Sequence, residues 1–389
     1  MEPRETYRVL PSWSSWFWTW LTGVPLEGER PLLVHSAKSF LLMAATSYIG
    51  GIALSIGGVM NTGGWSWVSM ITGWCLVVSG ARRLVSTVVH QCIHGRFSGW
   101  RKIDYVIGEL LTVLTFTQTA EEYRREHFEK HHRFGIFSTK DDPSVQFLMK
   151  SGFKPGMSVK ALWIRLLLNI FSPKFHLYFI TQRIRSNFVH KRPMRLVMVY
   201  VYLLIWGGAL VLGWVSQEEI FFGVIVPIIF LYQISVMLEF VSEHAWLVPT
   251  QHVGHARSVH YTHSWARFCG SATPMRSATH SATSYYGCWL VWWSAQLLYH
   301  IPVRLLVLPG DLPQHDFHHR SPNTTEWPNA AYARQQHLQK NKEPSMEFWG
   351  LHRAINHVFL GIAITGANVA RAPIITSNQL SDVEGSREC

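Results

Sequence analysis

The chain has 389 residues, of which 48% are hydrophobic, 13% aromatic and only 15% charged, against about 25% charged in a soluble globular domain. That balance argues against two or three soluble domains and for a membrane domain with a cap. The formal charge of +11 points to anionic lipid headgroups. Nucleic acid is disfavoured, because the basic residues flank apolar spans and form no stripe beside stackable aromatics.

The N-terminus opens with acidic residues, and its apolar run WFWTWLTGVPL has no small-residue cleavage site, so it does not read as a signal peptide. Residues 1–34 are expected to form an interfacial segment, with Trp13–Trp20 lying on the membrane. Residues 35–365 are expected to form one membrane domain. Its four apolar runs, at roughly 39–60, 64–82, 195–216 and 219–241, can each cross about 30 Å of hydrocarbon. They predict two tight hairpins whose turns, NTGG (61–64) and SQEE (216–219), lack Lys and Arg. Segment 82–194 instead carries many, including Arg82, Arg83, Arg124, Arg125 and Lys130. The positive-inside rule then faces the hairpin tips outward and places the termini and the middle segment in the cytoplasm.

Ile103–Thr119 is too short and interrupted for a span and reads as a re-entrant or interfacial helix. The aromatic and basic runs at 161–180 and 285–308 suit helices along the membrane surface. Residues 366–389 read as a loosely held tail. The five cysteines (Cys75, Cys92, Cys269, Cys288, Cys389) include no CxxC pair, so neither a disulfide framework nor a zinc ribbon is indicated.

Histidine is the unusual residue, with 21 copies in clusters. The first box, His90-Gln-Cys-Ile-His94, follows the second span and puts two imidazoles one helical turn apart on one face. The second, His127-Phe-Glu-Lys-His131-His132, pairs His127 with His131, while His132 lies about 100° further round and can reach a neighbouring ion. In the third, His315-Asp-Phe-His318-His319, positions i, i+3 and i+4 share a face. A lone HxxxH is commonplace, but three boxes on one predicted side of a membrane protein indicate a metal site. At the end of the fourth span, His244 stands at the depth of His90, where an ionisable residue is costly unless paired or functional. Glu239 and Glu243 beside it, with Glu126 and Asp316, are candidates to orient ligand rings through their N–H groups; the first two can also ligate directly. The HxxH formed by His260 and His263 is a weaker candidate.

Imidazole suits zinc, iron, copper and nickel alike. Nine histidines suffice for two ions of four to five nitrogen ligands each. HExxH is absent, and only one ExxH occurs, Glu129-Lys-His131-His132 read from Glu129, so neither a zincin nor the carboxylate-rich di-iron bundle fits.

The order HQCIH, EHFEKHHRF followed by DDP, SEHAW and GDLPQHDFHHRSP resembles the membrane fatty acid desaturase and hydroxylase superfamily, over about residues 35–330. The resemblance implies an all-α integral membrane fold, with four transmembrane helices as stem and a cytoplasmic helical cap holding a di-iron site. It implies two iron ions, O₂ as co-substrate and hydrogen abstraction from an unactivated C–H bond. The implied ligands are His90, His94, His127, His131, His132, His244, His315, His318 and His319. Phe240 departs from the stearoyl-type pattern, which has an asparagine four residues before the counterpart of His244.

The expected reaction is introduction of a double bond into a fatty acyl chain, and the alternative is hydroxylation of an alkyl or acyl chain on the same scaffold. A metal-ion transporter is a remote third reading, since the spans lack ionisable residues at mid-depth. The aromatic runs at 178–180 and 285–293 are candidates to line an acyl tunnel. No flavin, haem-attachment or iron–sulfur motif occurs, so electrons must come from a ferredoxin, rubredoxin or cytochrome b5 type donor. Arg124, Arg125, Lys130 and Arg133 could dock it.

Overall fold

Apolar composition and capping residues set the helices. A computed structural model describes residues 2–365 apart from 62, 134, 190, 248–262, 277–280 and 343–344. A short helix α1 (Ser15–Thr22) is followed by α2 (Ala37–Met60), which starts at a capping box between Ser36 and Ser39. Helix α3 (Ser66–Ile93) runs 11 residues past the expected end of the second span at residue 82, through a π-helical stretch at Arg83–Val89. The arginines that interrupt the apolar run do not end the helix. Arg82 is buried, 3.4 Å from Glu239 and stacked over Tyr232, so its charge is met inside the protein.

Helices α2 and α3 run antiparallel at very close range. A Cβ added at Gly51, Gly58, Gly73 or Gly80 would lie 2.4–2.6 Å from backbone of the facing helix, which opposes 58 to 70, 55 to 73 and 48 to 80. Small residues let membrane helices gain dispersion contacts where lipid offers no hydrophobic drive.

Helix α4 (Arg101–Leu114) covers the segment expected to be interfacial and leaves Ile103, Val106 and Leu110 exposed. Helices α5 (Ala120–Glu126), α6 (Pro143–Lys150), α7 (Val159–Phe171) and α8 (Pro173–Phe188) follow. Helix α9 (Pro193–Val211) is anchored at its first turn, where Arg195 is ion-paired with Glu109 of α4 at 2.9 Å and donates to Asn187 Oδ1. Most of its remaining apolar surface stays open, as suits a lipid-facing helix. Helix α10 (Gln217–Phe240) begins at a Ser216–Glu219 capping box and widens to a π-helix at Phe221–Leu231 around Pro227, whose ring removes one backbone donor. It packs on α2 and α3, with Ser55 Oγ donating to the Gly223 carbonyl at 2.6 Å.

These four helices, α2, α3, α9 and α10, are long and apolar enough to cross a membrane. The intimate antiparallel pairing expected of both pairs is seen in α2 and α3. Helix α10 turns to that pair instead of lying along α9.

A second core gathers α1, α6, α7, the aromatic helix α11 (Ala282–Ala295) and α14 (Leu351–Thr365), with Trp18, Phe153, Leu162, Trp292 and Phe359 inside it. Trp18 and Leu21 of the N-terminal segment are buried here, whereas Trp13 and Trp16 are exposed. The chain is mostly helical, but an all-α description misses a parallel ladder of β1 (Ala266–Phe268) and β2 (Glu347–Trp349), in register Arg267 to Phe348. The third histidine box forms the short helix α12 (His315–Arg320), and α13 (Ala330–Asn341) lies against its approach.

Candidate metal centre

The extended end of α3 delivers His90 and His94, and the π-helical turn after α5 delivers His127 and His131. The C-terminal end of α10 leads to His244, and α12 supplies His315, His318 and His319. Eight of the nine expected histidines fall into two groups of four. One is His90, His94, His127 and His318; the other is His131, His244, His315 and His319. Within each group, one nitrogen from every ring lies within 4.8 Å of the others.

The closest approaches are between Nε2 atoms. His127 Nε2 is 3.0 Å from both His90 Nε2 and His94 Nε2. In the second group, His315 Nε2 is 2.9 Å from His244 Nε2 and 3.2 Å from His319 Nε2. Imidazole nitrogens about 2.1 Å from one ion stand about 3.0 Å apart at right angles and about 3.4 Å apart at tetrahedral angles. The separations match ligands aimed at a common point. His318 Nε2 is buried with no hydrogen-bond partner among the described residues, a costly state that a cation would relieve. The donor set fits two ions.

His132 belongs to neither group. Its ring lies between them, 4.2 Å from the ring of His127 and 4.9 Å from that of His319. It also lines, with His319, Arg320, Asn323, His337 and Lys340, a cavity of about 650 Å³.

Burial favours the neutral imidazole, the form that ligation requires, at six of these positions. Burial, then Arg96 and Arg124, lowers His94 to about 4. Burial, then Arg267, lowers His315 to about 3. His127, His244, His318 and His319 are pushed well below the usual histidine value by burial first and neighbouring imidazoles second.

Outer contacts select the ring tautomers. His244 Nδ1 sits 3.0 Å from Ser264 Oγ and 3.3 Å from the His263 carbonyl, acceptors that leave the Nε2 lone pair facing the group. His263 thus contributes its carbonyl, while His260 lies outside the described residues. Asp142 Oδ2 lies 3.6 Å from His131 Nδ1. Burial alone would raise Asp142, but His131 and the backbone N–H groups of Ser138 and Ser144 outweigh it and hold it low. Sequence reasoning passed over this carboxylate. The signal was its place in Asp141-Asp142-Pro143, where an N-cap aspartate precedes a helix-starting proline.

The four acidic candidates behave differently. Glu239 is held by Arg267 at 3.1 Å and Arg82 at 3.4 Å. Glu243 Oε2 stands 3.9 Å from His315 Nε2, and burial, then Glu239, raises it well above the carboxylate range. Asp316 is buried and gripped by Arg334 through Nε–Oδ1 at 2.9 Å and Nη2–Oδ2 at 2.9 Å, so it anchors α12 rather than a histidine ring. Glu126 is exposed, and no hydrogen bond joins it to a histidine among the described residues.

Aromatic side chains close the site. Phe137 is fully buried 4.9 Å from the His244 ring and 5.2 Å from that of His131, and Phe128 lies 4.7 Å from His94.

The sequence matches the fatty acid desaturase family model over residues 65–301, more than half of the chain. The match takes in the first two boxes and His244 and stops before the third box. Comparison with curated proteins finds no match. With four apolar helices and this histidine arrangement, the chain is an integral membrane oxidoreductase of the desaturase and hydroxylase type. It belongs to the fatty acid desaturase family.

Proposed function

We propose that this protein is an O₂-dependent di-iron desaturase that introduces a double bond into a fatty acyl chain. The observation that carries the reading is the division of eight buried or half-buried histidines into two groups of four, in a chain of this family. His90, His94, His127 and His318 would hold one ion, His131, His244, His315 and His319 the other, and His132 stands within reach of both. The ions, when bound, would supply O₂ activation and the abstraction of hydrogen from an unactivated C–H bond.

The protein's own part is to hold neutral imidazoles in place and to keep water away. Ser264 and the His263 carbonyl orient His244, Asp142 faces His131, and Phe128 and Phe137 shield the rings. Shielding matters because a strong oxidant in contact with water is reduced wastefully. An acyl chain would bind by burial, at about 0.8 kcal/mol per CH₂.

The site lies at the cytoplasmic side, a reading supported by the basic segment that carries the second box. Arg124, Arg125, Lys130 and Arg133 are exposed beside that box and would dock the acidic face of a ferredoxin, rubredoxin or cytochrome b5 type donor. The test is expression with a matched donor, followed by lipid profiling under ¹⁸O₂. Loss of two hydrogens without label supports desaturation. A labelled hydroxyl in the product assigns the protein to the hydroxylases instead, and no change in any lipid removes the reading.

A further inference from the structure

The third histidine box sits on α12, which is six residues long. A helix that short does not hold its own geometry, so its neighbours must fix it. Asp316, just after His315, is gripped by Arg334. The N-terminal segment does the corresponding work just before His315. Helix α1 ends at Thr22, and Gly23 closes it in the left-handed conformation, with φ +82° and its N–H donating to the Thr19 carbonyl. Carbonyls at a helix end lack helical partners. Here donors from the far end of the chain supply them. Arg304 Nε donates to the Trp20 carbonyl at 2.6 Å, the Cys269 N–H to that of Thr22 at 3.2 Å, and Gln314 Nε2 to that of Gly23 at 2.6 Å. Arg304 also donates to the carbonyls of Leu308 and Gly310, so it ties the approach to the third box onto α1.

Gln314 is the residue next to His315 and is 3% exposed. It is the N-cap of α12, yet its side chain makes no capping bond to that helix. The amide is committed to Gly23 instead. The fit is close, because a Cβ at Gly23 would lie 2.8 Å from Gln314 Nε2 and 2.9 Å from Pro313 Cβ. Ligands to a metal keep their geometry only when held to within about 0.5 Å. A side chain locked one residue ahead of His315, with Asp316 locked one residue behind, supplies such a hold.

We propose that Gln314 is a positioning residue for His315, and that the Gly23 carbonyl is the fixed point it works against. This rests on the metal-centre reading above and deepens it: a segment remote in sequence from every box takes part in how one of the two ions is held.

The test uses the full chain in detergent, stripped of metal and titrated with Co²⁺. Bound metal is counted, the visible ligand-field bands are recorded and unfolding midpoints are measured. The wild-type chain is expected to take two ions. Gln314→Met keeps the length of the side chain but not its donor; it should weaken one of the two ions by about 10-fold and alter its bands. Gly23→Ala disturbs the same contact from the other partner and should alter the same bands. Gln335→Met removes another bond to the same segment, that from α13 to the Pro25 carbonyl at 3.1 Å. It should lower the midpoint and leave Co²⁺ affinity and bands as in wild type. Both ions bound by Gln314→Met with wild-type affinity and spectrum overturn the proposal and leave the metal centre standing. A spectrum altered as much by Gln335→Met as by Gln314→Met also overturns it, since the segment is then only a general support. A wild-type chain that takes up no Co²⁺ overturns the metal-centre reading itself. Should Gln314→Met fail to fold, Gly23→Ala decides, and an unchanged titration and spectrum in that variant overturn the proposal.

Discussion

Replacing Arg334 by Met probes how the third histidine box is held. Arg334 lies on α13, is about 5% exposed, and reaches Asp316 of α12 through three contacts of 2.9–3.0 Å and Glu347 of β2 through one of 2.9 Å. Met fills much of the side-chain volume but leaves Asp316, 1% exposed, with no cation. Stranding one partner of a buried ion pair costs about 3–5 kcal/mol. Glu347 is more exposed, so water screens it and the lower end of that range applies. The assay is thermal unfolding of the purified chain in detergent, followed by tryptophan fluorescence. The Arg334→Met midpoint should fall clearly below wild type. Adding Asp316→Asn should recover part of the loss, because it removes the stranded charge. An unchanged midpoint in Arg334→Met, or no recovery in the double variant, would refute the argument that this clasp fixes α12.

Gly80→Val would drive a Cβ to 2.5 Å from the Tyr48 backbone nitrogen, forcing α2 and α3 apart at a cost of about 1–3 kcal/mol; a midpoint equal to wild type in the same assay would contradict the close pairing. His300 is buried, its Nδ1 accepts from the Gly270 N–H at 2.8 Å, and burial, then His352, lowers it to about 4. Its folded value lies below the unfolded one of about 6.5. The neutral ring therefore stabilises the fold above pH 6.5, and that contribution, at most about 3 kcal/mol, is lost as pH falls from about 6.5 toward 4. His300→Gln, whose oxygen can accept the same hydrogen bond, should flatten unfolding midpoints across that range, and an undiminished slope would remove the assignment. His94→Ala, His131→Ala or His318→Ala should each abolish turnover and lower bound iron, whereas His357→Ala should leave iron content unchanged; full activity in any of the first three would end the ligand assignment.

The apolar runs and the histidine boxes were readable because each is a local pattern. Four runs of span length stand out by hydropathy, and i, i+4 spacing puts His90 with His94 and His127 with His131 before any folding is known. The end of α3 was not readable. Arg82 and Arg83 interrupt the hydropathy, and what keeps the helix going is Glu239, more than 150 residues away in sequence. Distance in sequence also hid Arg267 and Arg334, which tie the end of α10 and the third box to the β ladder. That ladder is three residues per strand and too short for an alternation signal. The short polar turn implies a pairing of α9 with α10, but Gly223 brings α10 close to Ile56 of α2, where Ser55 Oγ donates to its carbonyl. Asp142 was visible as a helix cap, and its second role depends on a turn that brings His131 beside it.

The most direct test of the account is the metal content of the chain purified under conditions that retain its native ions. Two groups of four histidines predict about two iron ions per chain, with loss of colour and of O₂ consumption when the iron is chelated and recovery of both on adding ferrous iron. Zinc in place of iron, retained without any reaction with O₂, would contradict it.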